Sequence, residues 1–283
     1  MLGVELVARL RRALGDSGSK LTAWDIEELD IRNAAAVDAA MRDVRPGVVI
    51  NSAAYTDVDG CENNLEAAMT ANAEAPGVLA AACKAAGAKL VHFSTDFVFD
   101  GSAEVPYLPE DKANPLSAYG RSKWQGEQAI RSAGGPHLII RTSWLFGPAG
   151  RNFVEAILAR AQADEPLKVV NDQFGRPTIA EDLADAVVRL LDVGAEQTVH
   201  FANSGRCSWF EFAREIVRQS GSRSTVTAIS SEELNRPAKR PAFSVLDTSG
   251  YTALTGHEPD NWQSALTRYL ECRSQRKQAE VAR

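Results

Sequence analysis

Short runs of strand-forming residues, Val48-Val49-Ile50, residues 89–93 and residues 138–141, recur along the chain with helix-length segments between them. Connections of that length are too long for hairpins. A strand, a crossover helix and a second strand in one sheet run parallel, and the helices then cover both faces. The expected fold class is therefore α/β, a doubly wound parallel sheet, and the remaining segments follow the same rhythm. Residues 4–14 have the pattern of an amphipathic helix, and residues 21–24 that of a short strand ending at Asp25. Residues 33–44 read as a helix with Asn33 as N-cap, stopped by Pro46. The alanine-rich stretch 66–86 reads as a helix broken near Pro76 and closed by Gly87, and residues 118–132 as another helix.

After Trp144 the rhythm becomes irregular. Residues 153–163 and 179–191 look helical, residues 199–201 look like a strand, and Ser208-Trp209-Phe210-Glu211 is a capping box. The expected organisation is a dinucleotide-binding unit, 1–145, onto which 178–203 folds back. A smaller α/β substrate-binding unit takes 146–177 and 204–272, and 273–283 is a charged, flexible tail.

With 283 residues, 45% hydrophobic and 24% charged, the chain has ample material for a core. A net charge of −6 argues against nucleic acid as the main partner, while local arginines still permit an anionic small ligand. Cys61, Cys83, Cys207 and Cys272 are scattered, without a C-x-x-C pair, so neither zinc nor any other metal site is expected and a reduced, cytoplasmic setting is the simplest reading. No apolar stretch approaches the roughly 20 residues of a membrane span.

Tyr119 and Lys123 stand four residues apart, about one helical turn, so their side chains share a face. An ammonium beside a phenol pulls its pKa below the free value of about 10. With the Thr95 hydroxyl at the end of a strand-like run, this is a minimal kit for reducing a carbonyl with a nicotinamide cofactor. A tyrosine packed on a helix beside a solvated lysine would show the same spacing.

A dinucleotide fold ordinarily opens with an apolar strand and a glycine-rich turn before its first helix. Here Met1-Leu2-Gly3-Val4 runs straight into the helix. Gly3, preceded by Leu2, fits the last glycine of such a fingerprint. Asp25 follows at about the 20-residue spacing of the acid that binds the ribose, a position that leans toward NADH. A terminal glycine and a turn aspartate are the plainer alternatives. The expectation is that the natural protein begins upstream, with Met1 internal, because the strand left out lies near the middle of the sheet.

Several segments in order resemble the dTDP-4-dehydrorhamnose reductases, a branch of the extended short-chain dehydrogenase/reductases with a Rossmann-like fold. These are the stretch from Asn51 to Asp59 (NSAAYTDVD), Ser94 to Gly101 (STDFVFDG), Tyr119-Gly120-Arg121-Ser122-Lys123, Arg141-Thr142-Ser143-Trp144, Asp172 to Thr178 (DQFGRPT), and Arg240-Pro241 followed by Ser244 and Leu246-Asp247. The resemblance runs from Gly3 to about residue 270. It departs at the missing first strand and at Phe97, where many relatives carry tyrosine.

The resemblance implies hydride transfer from NADPH or NADH to the 4-keto group of dTDP-4-dehydro-L-rhamnose. Tyr119 would be the general acid, Lys123 the ribose contact, and Thr95 a hydrogen-bond donor to the keto oxygen. Leu2, Gly3, Asp25, Asp30, Ile31, Ala54, Tyr55, Thr56 and Phe93 would join Tyr119 and Lys123 around the cofactor, with Phe93 equally suited to the core. Asp96 and Trp144, with Thr95, would meet the dTDP-sugar. Arg176 and Arg240 fit either its diphosphate or plain solvent. The resemblance admits a homodimer. It also admits a reductase of another dTDP-ketosugar, or a non-catalytic regulatory subunit like the beta subunit of animal methionine adenosyltransferase.

Overall fold

The computed structural model describes residues 1–15, 17–163 and 165–281. Four strands form a parallel sheet in the order Val48–Asn51, Lys89–Thr95, His137–Thr142 and Gln197–His200. Alternation along the strands divides the core into two layers. Leu90 and Ile139 point to one face, against Val37 and Met41 of helix Ala34–Val44, Leu79 of helix Ala75–Ala86 and Ile130 of helix Ala118–Ala133. Val91, Phe93, Leu138 and Ile140 point to the other, against helices Leu2–Leu14 and Ala180–Asp192. This is the doubly wound arrangement that the alternating pattern requires.

A second core lies among helices Phe153–Gln162, Trp209–Ser220 and Trp262–Val281, beside the parallel pair Leu167–Val170 and Val226–Ile229. Ser208 opens the second of these helices with both halves of the expected capping box. Asn33 caps helix Ala34–Val44 through the Ala36 amide, also as expected.

Three expectations need correction. Residues 21–24 are not a strand: Trp24 is 46% exposed, and among the described residues no strand pairs with the outer edge of Val48–Asn51. A strand exists only where a neighbour takes up its hydrogen bonds, and this segment has none. Second, the break expected near Pro76 is not an end of the helix but a π turn at Thr70–Glu74, which joins the α-helical stretches Leu65–Met69 and Ala75–Ala86 just before the proline. Pro76 has no amide for the Asn72 carbonyl, and the wider turn absorbs that loss. Third, residues 273–281 continue helix Trp262–Val281, and Arg273 is tied to the Glu155 carboxylate at 2.7 and 2.9 Å; residues 282–283 lie outside the described residues.

Helix Ala118–Ala133 crosses the π turn so closely that a methyl group at Gly126 would overlap the Asn72 carbonyl oxygen. That contact brings the helix carrying Tyr119 and Lys123 down onto the carboxyl ends of the central strands.

Candidate active site

In an open parallel sheet ligands bind beyond the carboxyl ends of the strands. Strand Lys89–Thr95 ends there in Thr95, and Asp96 begins a 3₁₀ turn. Ser117 caps helix Ala118–Ala133 through the Gly120 amide, which fixes where Tyr119 and Lys123 emerge. A methyl group at Gly120 would overlap the Phe97 carbonyl, so only glycine lets Tyr119 lie this close to the Thr95–Phe97 turn.

Lys123 is 2% exposed. Its ammonium donates to the Phe93 carbonyl at 2.7 Å and lies 3.3 Å from His92 Nε2. Burial lowers its pKa to about 8, against an opposing pull from the Glu127 carboxylate. The Tyr119 ring packs edge-on against Phe97 with centroids 5.7 Å apart. Tyr119 is half-buried, and its phenol end lies beside Thr95, Asp96 and Cys61. Burial pushes the phenol's pKa up, the Thr95 hydroxyl opposes this, and the Asp96 charge adds to it. The expectation that Lys123 lowers this pKa is therefore corrected. The lysine is turned toward Phe93 and His92, and desolvation dominates at the phenol. A phenol so placed stays protonated, as a proton donor must.

Asp96 is 1% exposed, and both its oxygens are engaged: Thr95 Oγ1 donates at 3.0 Å and Ser244 Oγ at 2.5 Å. It thus orients Thr95 directly. Burial raises its pKa to about 7, with the Ser244 and Thr95 hydrogen bonds opposing. From about pH 4 upward the unfolded chain ionises this carboxyl while the folded chain resists. The folded state therefore loses stability across the window up to about pH 7. Asp96→Asn removes that loss. Urea unfolding should show the variant gaining on the wild type, by on the order of a few kcal/mol, between about pH 4 and pH 8. A pH-independent difference between the two proteins would contradict the assignment.

Behind the site, Glu127 and Arg141 form a fully buried bidentate pair at 2.9 and 2.8 Å, and Ser94 Oγ donates to the same carboxylate at 2.6 Å. Burial pushes the Glu127 pKa up, but the Arg141 hydrogen bonds and charge outweigh it and leave it lowered. Arg131 adds a third cationic contact at 2.8 Å.

The loop expected to carry the cofactor, Ala54-Tyr55-Thr56, is held at Tyr55. Its amide donates to Asn72 Oδ1 at 2.8 Å, and its carbonyl accepts from Asn72 Nδ2 at 2.9 Å. The same Nδ2 reaches Ser122 at 3.1 Å, coupling the loop to the Tyr119 helix. Ala54 and Thr56 are exposed. Gly3, in the first turn of helix Leu2–Leu14, lies where a Cβ would come within 3.3 Å of Ser52, while Leu2 is buried in the core. Helix Leu2–Leu14 has no side-chain N-cap hydrogen bond.

Asp25 is an exposed turn residue. Asp30 is engaged by Arg32 and held down to about 2 by that hydrogen bond. Ile31 packs on the core beside Val37 and Leu90. Phe93 is 8% exposed, with its side chain in the core and its carbonyl on Lys123. The structure thus brings Thr95, Asp96, Tyr119 and Lys123 together with the 54–56 loop, and leaves Asp25 and Asp30 on the surface.

Trp144 stacks on Trp209 with centroids 3.6 Å apart, and Gly175 leaves it room on the other side, where a Cβ would lie 2.5 Å from the ring. Its φ of 47° is strained for an aromatic residue. Arg176 donates to Thr248 and keeps a buried Nε without a partner. Arg240 is spent on Asp59, with contacts of 3.1 Å.

Sequence reasoning missed Asn51, Asn72, His92, Ser122, Glu127 and Ser244. A polar residue inside an apolar strand run, as His92 is in Lys89-Leu90-Val91-His92-Phe93, was one available signal, and Asn51, Ser122 and Ser244 stand in the matching segments.

Residues 1–274 match the family model described as RmlD substrate binding domain. A dTDP-4-dehydrorhamnose reductase of Streptomyces griseus is 41% identical over 94% of this chain and 89% of its own. A probable dTDP-4,6-dihydroxy-2-methyloxan-3-one 4-ketoreductase of Streptomyces antibioticus is 39% identical over 94% and 90%. Among solved structures, a dTDP-4-dehydrorhamnose reductase of Bacillus anthracis in complex with NADP superposes with a TM-score of 0.89. It is 34% identical and covers 94% of each chain.

Proposed function

Because the chain belongs to the dTDP-4-dehydrorhamnose reductase family, we propose that it reduces the 4-keto group of dTDP-4-dehydro-L-rhamnose to give dTDP-L-rhamnose, using NADPH or NADH. The observation that carries this reading is the convergence of Thr95, Tyr119 and Lys123 at one strand end, with a protonated phenol beside a hydroxyl.

The bound nicotinamide supplies the hydride. The chain's own residues do the rest. Tyr119 gives its phenolic proton to the ketone oxygen as negative charge develops there. The Thr95 hydroxyl, whose single hydrogen goes to Asp96 in the structure, turns that hydrogen to the same oxygen when the ketone binds. Lys123 holds the nicotinamide ribose. Gly3 and the first turn of its helix suit the pyrophosphate, and the exposed small residues at 53–54 let the cofactor approach the sheet. The spacing of Asp25 in the sequence leans toward NADH, while the Bacillus anthracis relative is in complex with NADP, so both cofactors belong in the assay. Trp144, stacked on Trp209 and flanked by Gly175, has its broad faces covered and would meet the sugar nucleotide with the rim of its ring. In this reading the four-stranded unit takes the dinucleotide, and 146–177 with 204–272 take the sugar nucleotide. Four free cysteines support a reducing, cytoplasmic setting.

The likeness to the Streptomyces antibioticus ketoreductase favours a second reading, in which the ketosugar belongs to another deoxysugar series. The test supplies dTDP-4-dehydro-L-rhamnose with NADPH or NADH and identifies the product by chromatography and NMR. Formation of dTDP-L-rhamnose supports the first reading. Turnover only on a different dTDP-ketosugar supports the second. Absence of turnover on every ketosugar overturns both and points to a non-catalytic subunit.

A further inference from the structure

His92 stands in the strand Lys89–Thr95, 1% exposed, with both ring nitrogens engaged by side chains. On one side is Asn51, 5% exposed, at the end of the neighbouring strand. The Ala53 backbone amide donates to Asn51 Oδ1 at 3.0 Å. A backbone amide can only donate, so the oxygen of Asn51 is fixed on that side and Nδ2 faces His92 Nδ1 at 3.1 Å. Nδ2 in turn can only donate, so His92 Nδ1 must present its lone pair. Burial, the larger cause, by itself holds the ring's pKa below the ordinary value, so the ring is neutral. A neutral ring with a bare Nδ1 carries its hydrogen on Nε2. That nitrogen is 3.3 Å from Lys123 Nζ. An N–H facing an ammonium is two donors in conflict. The same N–H facing a neutral amine is a hydrogen bond.

We propose that Asn51 and His92 are positioning residues that lock the histidine tautomer and thereby favour the neutral amine form of Lys123, so that this lysine changes charge within the working pH range. The direction of every hydrogen bond in the chain Ala53, Asn51, His92, Lys123 follows from one backbone amide. That amide lies at the foot of the 54–56 loop, so rearranging the loop on ligand binding would release the lock and let Lys123 take up a proton. The other groups around the lysine oppose or spare the effect. Glu127, one turn along the same helix, favours the ammonium, but its charge is shared with Arg141 of the next strand and with Arg131. The Phe93 carbonyl accepts from either form. Tyr119, one turn back, is held protonated, with Asp96 on its far side. The inference concerns the protonation of Lys123 and holds whichever carbonyl the site reduces.

The test is spectroscopic. The chain has four histidines, His92, His137, His200 and His257, and long-range ¹H–¹⁵N correlation on histidine-labelled protein separates the tautomers, with His92→Gln giving the assignment. The wild type should show His92 as the neutral Nε2–H form at pH 7. Asn51→Asp keeps an acceptor for Ala53 but demands a hydrogen from Nδ1. The ring should switch to the Nδ1–H form, and the Lys123 titration, followed by ¹³Cε chemical shift, should move up by about one pH unit or more, tenfold in proton affinity. Asn51→Leu adds no charge and should move the lysine in the same direction, which separates the tautomer effect from simple attraction. An Nδ1–H or doubly protonated His92 in the wild type overturns the proposal without any variant. So does a Lys123 titration unmoved in both Asn51 variants.

Discussion

Tyr119→Phe should lower turnover by about 10²–10⁴-fold, the range for removing a general acid, while NADPH and NADH bind as in the wild type. The substitution deletes one oxygen from a ring whose packing against Phe97 and Cys61 does not use it. The fold and the cofactor site therefore stay in place. Burial holds the wild-type phenol protonated well above neutral pH, so the activity of the parent enzyme should show no fall from phenol ionisation in the neutral range. Steady-state rates and cofactor titration by fluorescence separate the two quantities. Near wild-type turnover in the variant would remove Tyr119 from the proposed chemistry.

Arg141→Met should be strongly destabilising. It leaves Glu127 buried with only the partly exposed Arg131 and the Ser94 hydroxyl as partners. Breaking one side of a buried pair costs about 3–5 kcal/mol. At about 2–4 °C per kcal/mol for a chain of this size, the melting temperature should fall by roughly 10 °C. The double variant Glu127→Gln/Arg141→Met removes both charges and should recover a substantial part of the loss. Calorimetry of the three variants measures the coupling. Additive losses would mean that the two side chains act independently, against the geometry seen here.

The features legible beforehand share one property: they are written within a few residues. The caps at Asn33 and Ser208 depend on side chains reaching an amide three residues on. The shared face of Tyr119 and Lys123 follows from helical period. The alternation of strand-like and helix-like runs dictated the parallel sheet. Where the expectations failed, the deciding partner was elsewhere. Residues 21–24 read as a strand, but among the described residues no strand lies beside them. The Tyr119 phenol was expected to be acidified by its neighbouring lysine, yet the burial around it and the pull of His92 and Phe93 on that lysine come from other elements.

Local chemistry along the chain thus determined the fold class, the helix starts and the proton-donor pair, because these depend on backbone period and on contacts over a single turn. Only the tertiary structure decided what each group does there. Asp96 meets Ser244 across 148 positions of chain, Arg131 meets Thr198 across 67, and His92 meets Lys123 across 31. Desolvation and the direction of buried hydrogen bonds, which set the charge of Asp96, Lys123 and Tyr119, arise only when those distant segments close around the site.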